Sequence, residues 1–180
     1  IPNSITGIGQ QAFSGCTNLA SVTIGNSVTS IGITLYSGPF DGCTSLTNIS
    51  VDAANTTFSS LDGVVFNKAQ TTLITFPPGR GSYVIPNSVT SIGDEAFWYC
   101  TNLTNLSVDA ANPAYSSLDG VLFDKAQTVL LTFPAGRDGN YVIPSSVTWI
   151  REGAFFANSA LTSLTIPGSV TRIDSLPSGP

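Results

Sequence analysis

The chain repeats itself, and that self-similarity limits what it can fold into more than any other feature. Four segments align: ITGIGQQAFSGCTNLASVTI ending at Ile24, VTSIGITLYSGPFDGCTSLTNISV ending at Val51, VTSIGDEAFWYCTNLTNLSV ending at Val108, and VTWIREGAFFANSALTSLTI ending at Ile166. Ile1 to Ile24, Ile85 to Val108 and Ile143 to Ile166 each span 23 positions, while Ile24 to Val51 spans 27, so the second copy carries four extra residues. A fifth copy, IPGSVTRID, begins at Ile166. The chain starts at Ile1-Pro2 without a Met and stops at Pro180 inside the pattern, so it reads as a fragment of a longer array.

The apolar positions within a copy have a physical logic. Phe13, Cys16 and Leu19 are spaced by three, as are Phe40, Cys43 and Leu46, and Phe97, Cys100 and Leu103. That spacing predicts a short helical or 3-10 turn with the trio on its buried side. Leu19, Val22 and Ile24 then follow L-x-x-L-x-L, and the closing alternation predicts a short strand with Val22 and Ile24 inward and Ser21 and Thr23 outward. No copy can cover its own apolar side, but stacked copies set strand beside strand at about 4.8 Å and build one continuous core. Pro2, Pro86, Pro144 and Pro167 follow the strand, where a missing N–H and a fixed φ end the ladder.

Ile85 to Val108, IPNSVTSIGDEAFWYCTNLTNLSV, resembles the BspA-type leucine-rich repeat almost throughout, and related copies recur over nearly the whole chain. The resemblance implies a leucine-rich-repeat solenoid of short parallel strands and short helical or 3-10 turns. It also implies a bacterial or protozoan surface or secreted protein engaged in adhesion. The expected organisation is one solenoid over residues 1–180, with units near 1–23, 24–50, 51–84, 85–107, 108–142, 143–165 and 166–180. The fourth aligned segment departs from the pattern, with Arg151 where Gly9, Gly32 and Gly93 stand and Asn158 where Cys stands, which reads as drift.

Two longer inserts interrupt the short copies. VDAANTTFSSLDGVVFNKAQTTLITFPPGR and VDAANPAYSSLDGVLFDKAQTVLLTFPAGR align without a gap at a displacement of 57, with 22 identities in 30. Asp-Gly between two extended runs is a strong two-residue hairpin signal, because both turn residues tolerate φ > 0. A second turn over Lys-Ala-Gln-Thr returns the chain, so each insert reads as a small β-meander that continues the solenoid sheet. In the second copy Asp124 precedes Lys125 in a manner similar to the phosphorylated loop of cation-pumping ATPases. Its counterpart in the first copy is Asn67, whose amide forms no acyl-phosphate, and Gln127 stands where that loop wants Gly. Asp and Asn share the ability to bond the backbone of a turn, and that is the role expected here.

Composition narrows the function classes. The chain is 42% apolar and 9% charged, as ordered proteins are. Its net charge of -5, without a basic run, removes the attraction on which nucleic-acid and anionic-membrane binding rely. No apolar run approaches the roughly 20 residues of a spanning helix, so no membrane insertion by this segment is expected. With no His, Ser-His and Cys-His catalytic pairs are excluded within the chain, and so is the commonest zinc chemistry. Cys16, Cys43 and Cys100 share one repeat position, and their odd number favours buried small residues in a ladder over a disulfide or a soft-metal site. Asp52, Asp62, Asp109 and Asp119 recur without a calcium-loop pattern and read as turn and cap residues. Asp94 and Glu95 are adjacent in one copy only and read as a solvated turn. No catalytic residue, metal ligand or cofactor is expected.

The remaining site candidates are the outward strand positions: Ser21, Thr23, Asn48, Ser50, Asn105, Ser107, Ser163 and Thr165. Leucine-rich repeats commonly hold ligands on this face, although none of the eight is the Trp, Tyr or Arg on which binding hot spots usually centre. Trp98, Tyr99 and Trp149 fall outside the apolar template, either as exposed anchors or as packing between coils. The expected function is a non-enzymatic extracellular or cell-surface module that binds protein or glycan. The alternative is a structural module whose coils self-associate end to end into an array or filament.

Overall fold

The computed structural model describes residues 1–32 and 37–174. They form two compact units, Ile1–Arg80 with Ser88–Asn102, and Gly81–Asn87 with Leu103 onward. Residues 33–36, within the longer second copy, and those beyond Asp174 lie outside the described residues.

In the first unit Ser21–Ile24 pairs in parallel with Asn48–Val51, register Ser21 to Asn48 through Ile24 to Val51. Burial alternates as the sequence demands: Val22, Ile24 and Ile49 are buried while Ser21, Thr23 and Asn48 are exposed. A second parallel pair, Gly7–Ile8 with Ser30–Ile31, forms where the chain runs through its Ile-Gly positions. Between the two lies a core of Ile8, Val28, Phe40, Cys43, Leu46 and Phe58. The fold is thus a leucine-rich-repeat solenoid with parallel strands.

No helix occurs among the described residues, so the helical turn expected around Phe13 is a run of single turns. The hydrogen bonds explain why. Ala12, Ser14 and Cys16 donate back three residues, to Gly9, Gln11 and Phe13, whereas the alternate Gln11, Phe13 and Gly15 donate across to Gly38, Pro39 and Asp41 of the next coil. Half of the N–H groups that a helix would use internally are claimed by the neighbour. The burial expected of the trio holds where coils lie on both sides: Phe40, Cys43 and Leu46 are 2%, 0% and 0% exposed. It fails in the first copy, where Cys16 is exposed and Phe13 and Leu19 are half-buried, because one coil only packs on them.

The insert of this unit is the expected meander. Phe58–Leu61, Val64–Asn67 and Thr72–Thr75 pair antiparallel in turn. The first turn has Asp62 at φ 49° and Gly63 at φ 74°, both in the left-handed region. The meander's last strand, Thr72–Thr75, pairs in parallel with the two-residue strand Ser91–Ile92, and the meander forms a sheet separate from that of the four-residue strands. In the second turn Asn67 Oδ1 accepts the N–H groups of Thr71 and Thr72 at 2.9 and 3.0 Å.

The second unit repeats these elements. Ser82–Ile85 pairs in parallel with Asn105–Val108, and Gly139–Val142 with Leu161–Thr165. Tyr115–Leu118, Val121–Asp124 and Val129–Thr132 form the second meander, extended in parallel by Trp149–Ile150 and Arg172–Ile173. Its core gathers Val121, Phe123, Leu130, Phe133, Tyr141 and Ile150. Asp119 and Gly120 repeat the turn at φ 49° and 75°.

Two residue types anchor each insert. Asn55 is buried and makes four bonds: Nδ2 donates to Gly25 O and Val28 O at 2.9 Å each, and Oδ1 accepts from Thr57 and Phe58 at 2.9 and 2.8 Å. Asn112 repeats the arrangement, with Nδ2 on Pro86 O at 2.7 Å and Oδ1 taking the N–H groups of Ala114 and Tyr115. The two lysines do matching work, Lys68 Nζ donating to Asn55 O at 2.5 Å and Lys125 Nζ to Asn112 O at 2.6 Å. Asn158 is also an anchor and not drift: Nδ2 donates to Pro134 O and Arg137 O, and Oδ1 accepts from Ala160 and Leu161.

Asn55→Ala removes four hydrogen bonds in a buried site, those to Gly25 O and Val28 O and those from the N–H groups of Thr57 and Phe58, so the expected loss is about 2–4 kcal/mol in urea unfolding. Asp124→Asn, which installs the residue found at Asn67, is expected to change stability by less than about 0.5 kcal/mol in the same measurement.

Candidate binding face

Alternation along each four-residue strand presents every second side chain outward, and parallel pairing sets those side chains abreast. Ser21 lies beside Asn48 and Thr23 beside Ser50, whose hydroxyls are 3.0 Å apart. These four of the eight expected residues share one two-stranded sheet. Asn105 and Ser107 belong to another, where Asn105 Nδ2 donates to Ser107 Oγ at 3.2 Å, and Ser163 and Thr165 belong to a third. Ser50 and Ser107 are half-buried and the other six are exposed.

Each hairpin tip docks on a strand edge. Ile49 N–H donates to Gly63 O and Leu106 N–H to Gly120 O, both at 2.9 Å. A Cβ added at Gly63 would meet Asn48 Oδ1 at 2.8 Å, and one at Gly120 would meet Asn105 Oδ1 at 2.5 Å. Glycine is therefore required both for its positive φ and for its closeness to the asparagine. Arg80 clamps the first tip, donating to Asp62 O and pairing with Asp62 Oδ2 at 2.9 Å while its guanidinium lies 5.9 Å from the Phe76 ring centre. Arg137 likewise donates to Asp119 O and lies over Phe133 and Tyr141.

The strands Ser82–Ile85 and Gly139–Val142 add outward residues that the repeat alignment passed over: Ser82 beside Asn105, Val84 beside Ser107, Asn140 beside Ser163, and Val142 beside Thr165. Val84 and Val142 are 60% and 66% exposed, the two most exposed large apolar side chains of the second unit's paired four-residue strands. Their signal was the shared Tyr-Val-Ile-Pro at 83–86 and 141–144, where the Pro marks a strand end. Beneath them the rings of Tyr83 and Tyr141 are buried, and burial pushes the Tyr141 phenol up to about 12 against the opposing pull of Arg137. No outward position of these three strand pairs carries a charge.

The other candidates resolve into structural roles. Asp124 Oδ1 accepts the N–H groups of Thr128 and Val129 at 2.7 and 2.8 Å, and Oδ2 takes the Thr128 hydroxyl at 2.8 Å, so the carboxylate closes its own turn. Asp52 and Asp109 accept from Ala54 and Ala111 two residues on. Trp149 is a packing residue, its Nε1 donating to Asp174 at 2.9 Å and its ring lying 4.4 Å from the Arg172 guanidinium. Asp94 is exposed, while Glu95 is half-buried and lines, with Trp98, Phe40 and Asp41, a cavity of about 10 Å³. That volume holds roughly one water molecule. Burial raises the Asp41 carboxyl there, opposed by the bond it accepts from Gly38 N–H at 2.8 Å. No group of three or more His, Cys, Asp and Glu side chains suited to a metal occurs among the described residues.

The chain is similar to three solved structures. A leucine-rich repeat protein from Eubacterium ventriosum shares 27% identity over 94% of this chain and 47% of its own, with a TM-score of 0.59. The pneumococcal vaccine antigen PcpA shares 20% over 98% and 46%, TM-score 0.58. A leucine-rich cell surface protein from Faecalibacterium prausnitzii shares 23% over 94% and 47%, TM-score 0.56. The chain thus spans about half the length of each. No curated protein matches it. A family model of the BspA type leucine-rich repeat region, in six copies, matches residues 1–80, 33–135 and 81–176. The chain belongs to the BspA-type leucine-rich repeat family.

Proposed function

We propose that this chain is a non-enzymatic, cell-surface or extracellular binding module whose outward strand positions take a protein or glycan ligand. The observation that carries this reading is the uncharged outward face of the four-residue strand pairs, small polar side chains flanked in the second unit by exposed Val84 and Val142. Its hydroxyls and amides match the hydrogen-bonding groups of sugars and of peptide backbone, and the two valines add apolar contact area. Because the strands are locked by backbone pairing, little order is lost on binding. The names of two similar structures, a cell surface protein and a vaccine antigen, support a surface location for this relative.

A second reading, end-to-end self-association, is favoured by the strand edges. Among the described residues Ser21–Ile24 and Leu161–Thr165 each pair on one side only, and Ile166 and Ile173 are 44% and 60% exposed. Such an edge is a template for another strand, whether from a second copy or from further repeats.

The binding reading is tested by capture of the purified chain on arrayed glycans and immobilised extracellular proteins. Val84→Glu with Val142→Glu is expected to reduce capture at least about tenfold without a change in circular dichroism; unchanged capture would remove the ligand from this face. Sedimentation velocity at micromolar concentration decides between the readings. Defined monomers are expected if binding is the primary role, and an open-ended series of polymers would favour self-association.

A further inference from the structure

We propose that Cys16 and Cys43 are joined by a cross-coil disulfide when the chain stands in an oxidising medium, leaving Cys100 as a thiol. The backbone puts the two side by side. Gln11, Phe13 and Gly15 donate to Gly38, Pro39 and Asp41, and the rings of Phe13 and Phe40 stack at 5.6 Å with an interplanar angle of 15°. The offset of 27 that relates Phe13 to Phe40 also relates Cys16 to Cys43. Phe13 O then accepts two donors at once, Cys16 N–H at 3.1 Å and Cys43 Sγ at 3.0 Å. Stacked coils are separated by about 4.8 Å, within the roughly 4.4–6.8 Å between Cα atoms that a disulfide spans.

Access and selectivity follow from burial. Cys16 is exposed while Cys43 and Cys100 are buried. Cys100 is screened from Cys43 by the segment between them, since Gly79 N–H donates to Leu46 O on one side and Phe76 N–H to Ala96 O on the other. Its sulfur points to Phe76 O and Trp98 O. Burial also raises the Cys43 thiol, which leaves the first attack to Cys16.

With a low-molecular-weight disulfide RSSR as oxidant, the Cys16 thiolate attacks one sulfur and expels RS⁻, forming a mixed disulfide. Cys43 then gives up its proton and its thiolate attacks the Cys16 sulfur, expelling the second RS⁻. Two chain thiols are oxidised and RSSR is reduced to two RSH. The product closes a 27-residue offset across coils that hydrogen bonds and ring stacking already hold together.

The test equilibrates the purified chain with oxidised and reduced glutathione, quenches with acid and alkylates under denaturing conditions. One alkylated thiol per chain is expected. Chymotryptic mapping, chosen because no Lys or Arg precedes Lys68, should recover a Cys16–Cys43 linked peptide. Cys100→Ser should still form the link, and Cys16→Ser or Cys43→Ser should abolish it. The oxidised chain should unfold at higher urea than its reduced form. Three alkylated thiols at equilibrium, or a link that involves Cys100 or joins two chains, would overturn the proposal.

Discussion

Everything in this chain depends on one coil covering the next. A coil of some 23 residues has one apolar side and no means of burying it alone, and in the turns of the first copy alternate N–H groups are aimed outward at the neighbour. The cross-coil bonds from Gln11, Phe13 and Gly15 are therefore as structural as the strand pairing itself. Where a coil has neighbours on both sides, as around Phe40, Cys43 and Leu46, exposure falls to 2% or less. Where it has one, the same residue types remain open, and the contrast between Cys43 and Cys16 is a direct reading of that rule.

The inserts obey the same constraint by different means. A meander is an antiparallel device in a parallel stack, so its polar backbone at the junction has to be satisfied locally. Buried Asn55 and Asn112 do this, each using its amide as a double-ended connector, and Lys68 and Lys125 hold the adjoining carbonyls. Asp62-Gly63 and Asp119-Gly120 let the tip turn tightly enough to dock on a strand edge, under the clamp of an arginine that also rests on an aromatic ring. A strand edge that would otherwise be a template for pairing is capped in this way.

These features shape the candidate surface. Because each four-residue strand pair is a two-stranded sheet of its own, the outward residues come in patches, and Ser21, Thr23, Asn48 and Ser50 form one of them. The patches carry no charge, so what they present to a surrounding molecule is hydrogen-bonding groups and shape and not an electrostatic field. Val84 and Val142 are the most exposed large apolar side chains on these strands, and they stand on strands that lead into the next Ile-Pro and not on strands that end a short copy.

The periodicity of Phe, Cys, Leu, Val and Ile was enough, without coordinates, to establish the solenoid, the inward and outward alternation and both Asp-Gly hairpins, because these are local patterns repeated at fixed intervals. Comparing Asp124 with Asn67 likewise identified a turn, since two copies of one local structure test each other. Tertiary structure alone decided what depends on the neighbour. Around Phe13 it set single turns in place of a helical one, because alternate N–H groups there serve the adjacent coil. It paired each meander with a two-residue strand, Ser91–Ile92 or Trp149–Ile150, made Asn158 a four-bond anchor, left Cys16 open and set it beside Cys43. Spacing within a copy is written in the chain, but burial and cross-coil contact belong to the stack, and no single copy carries them.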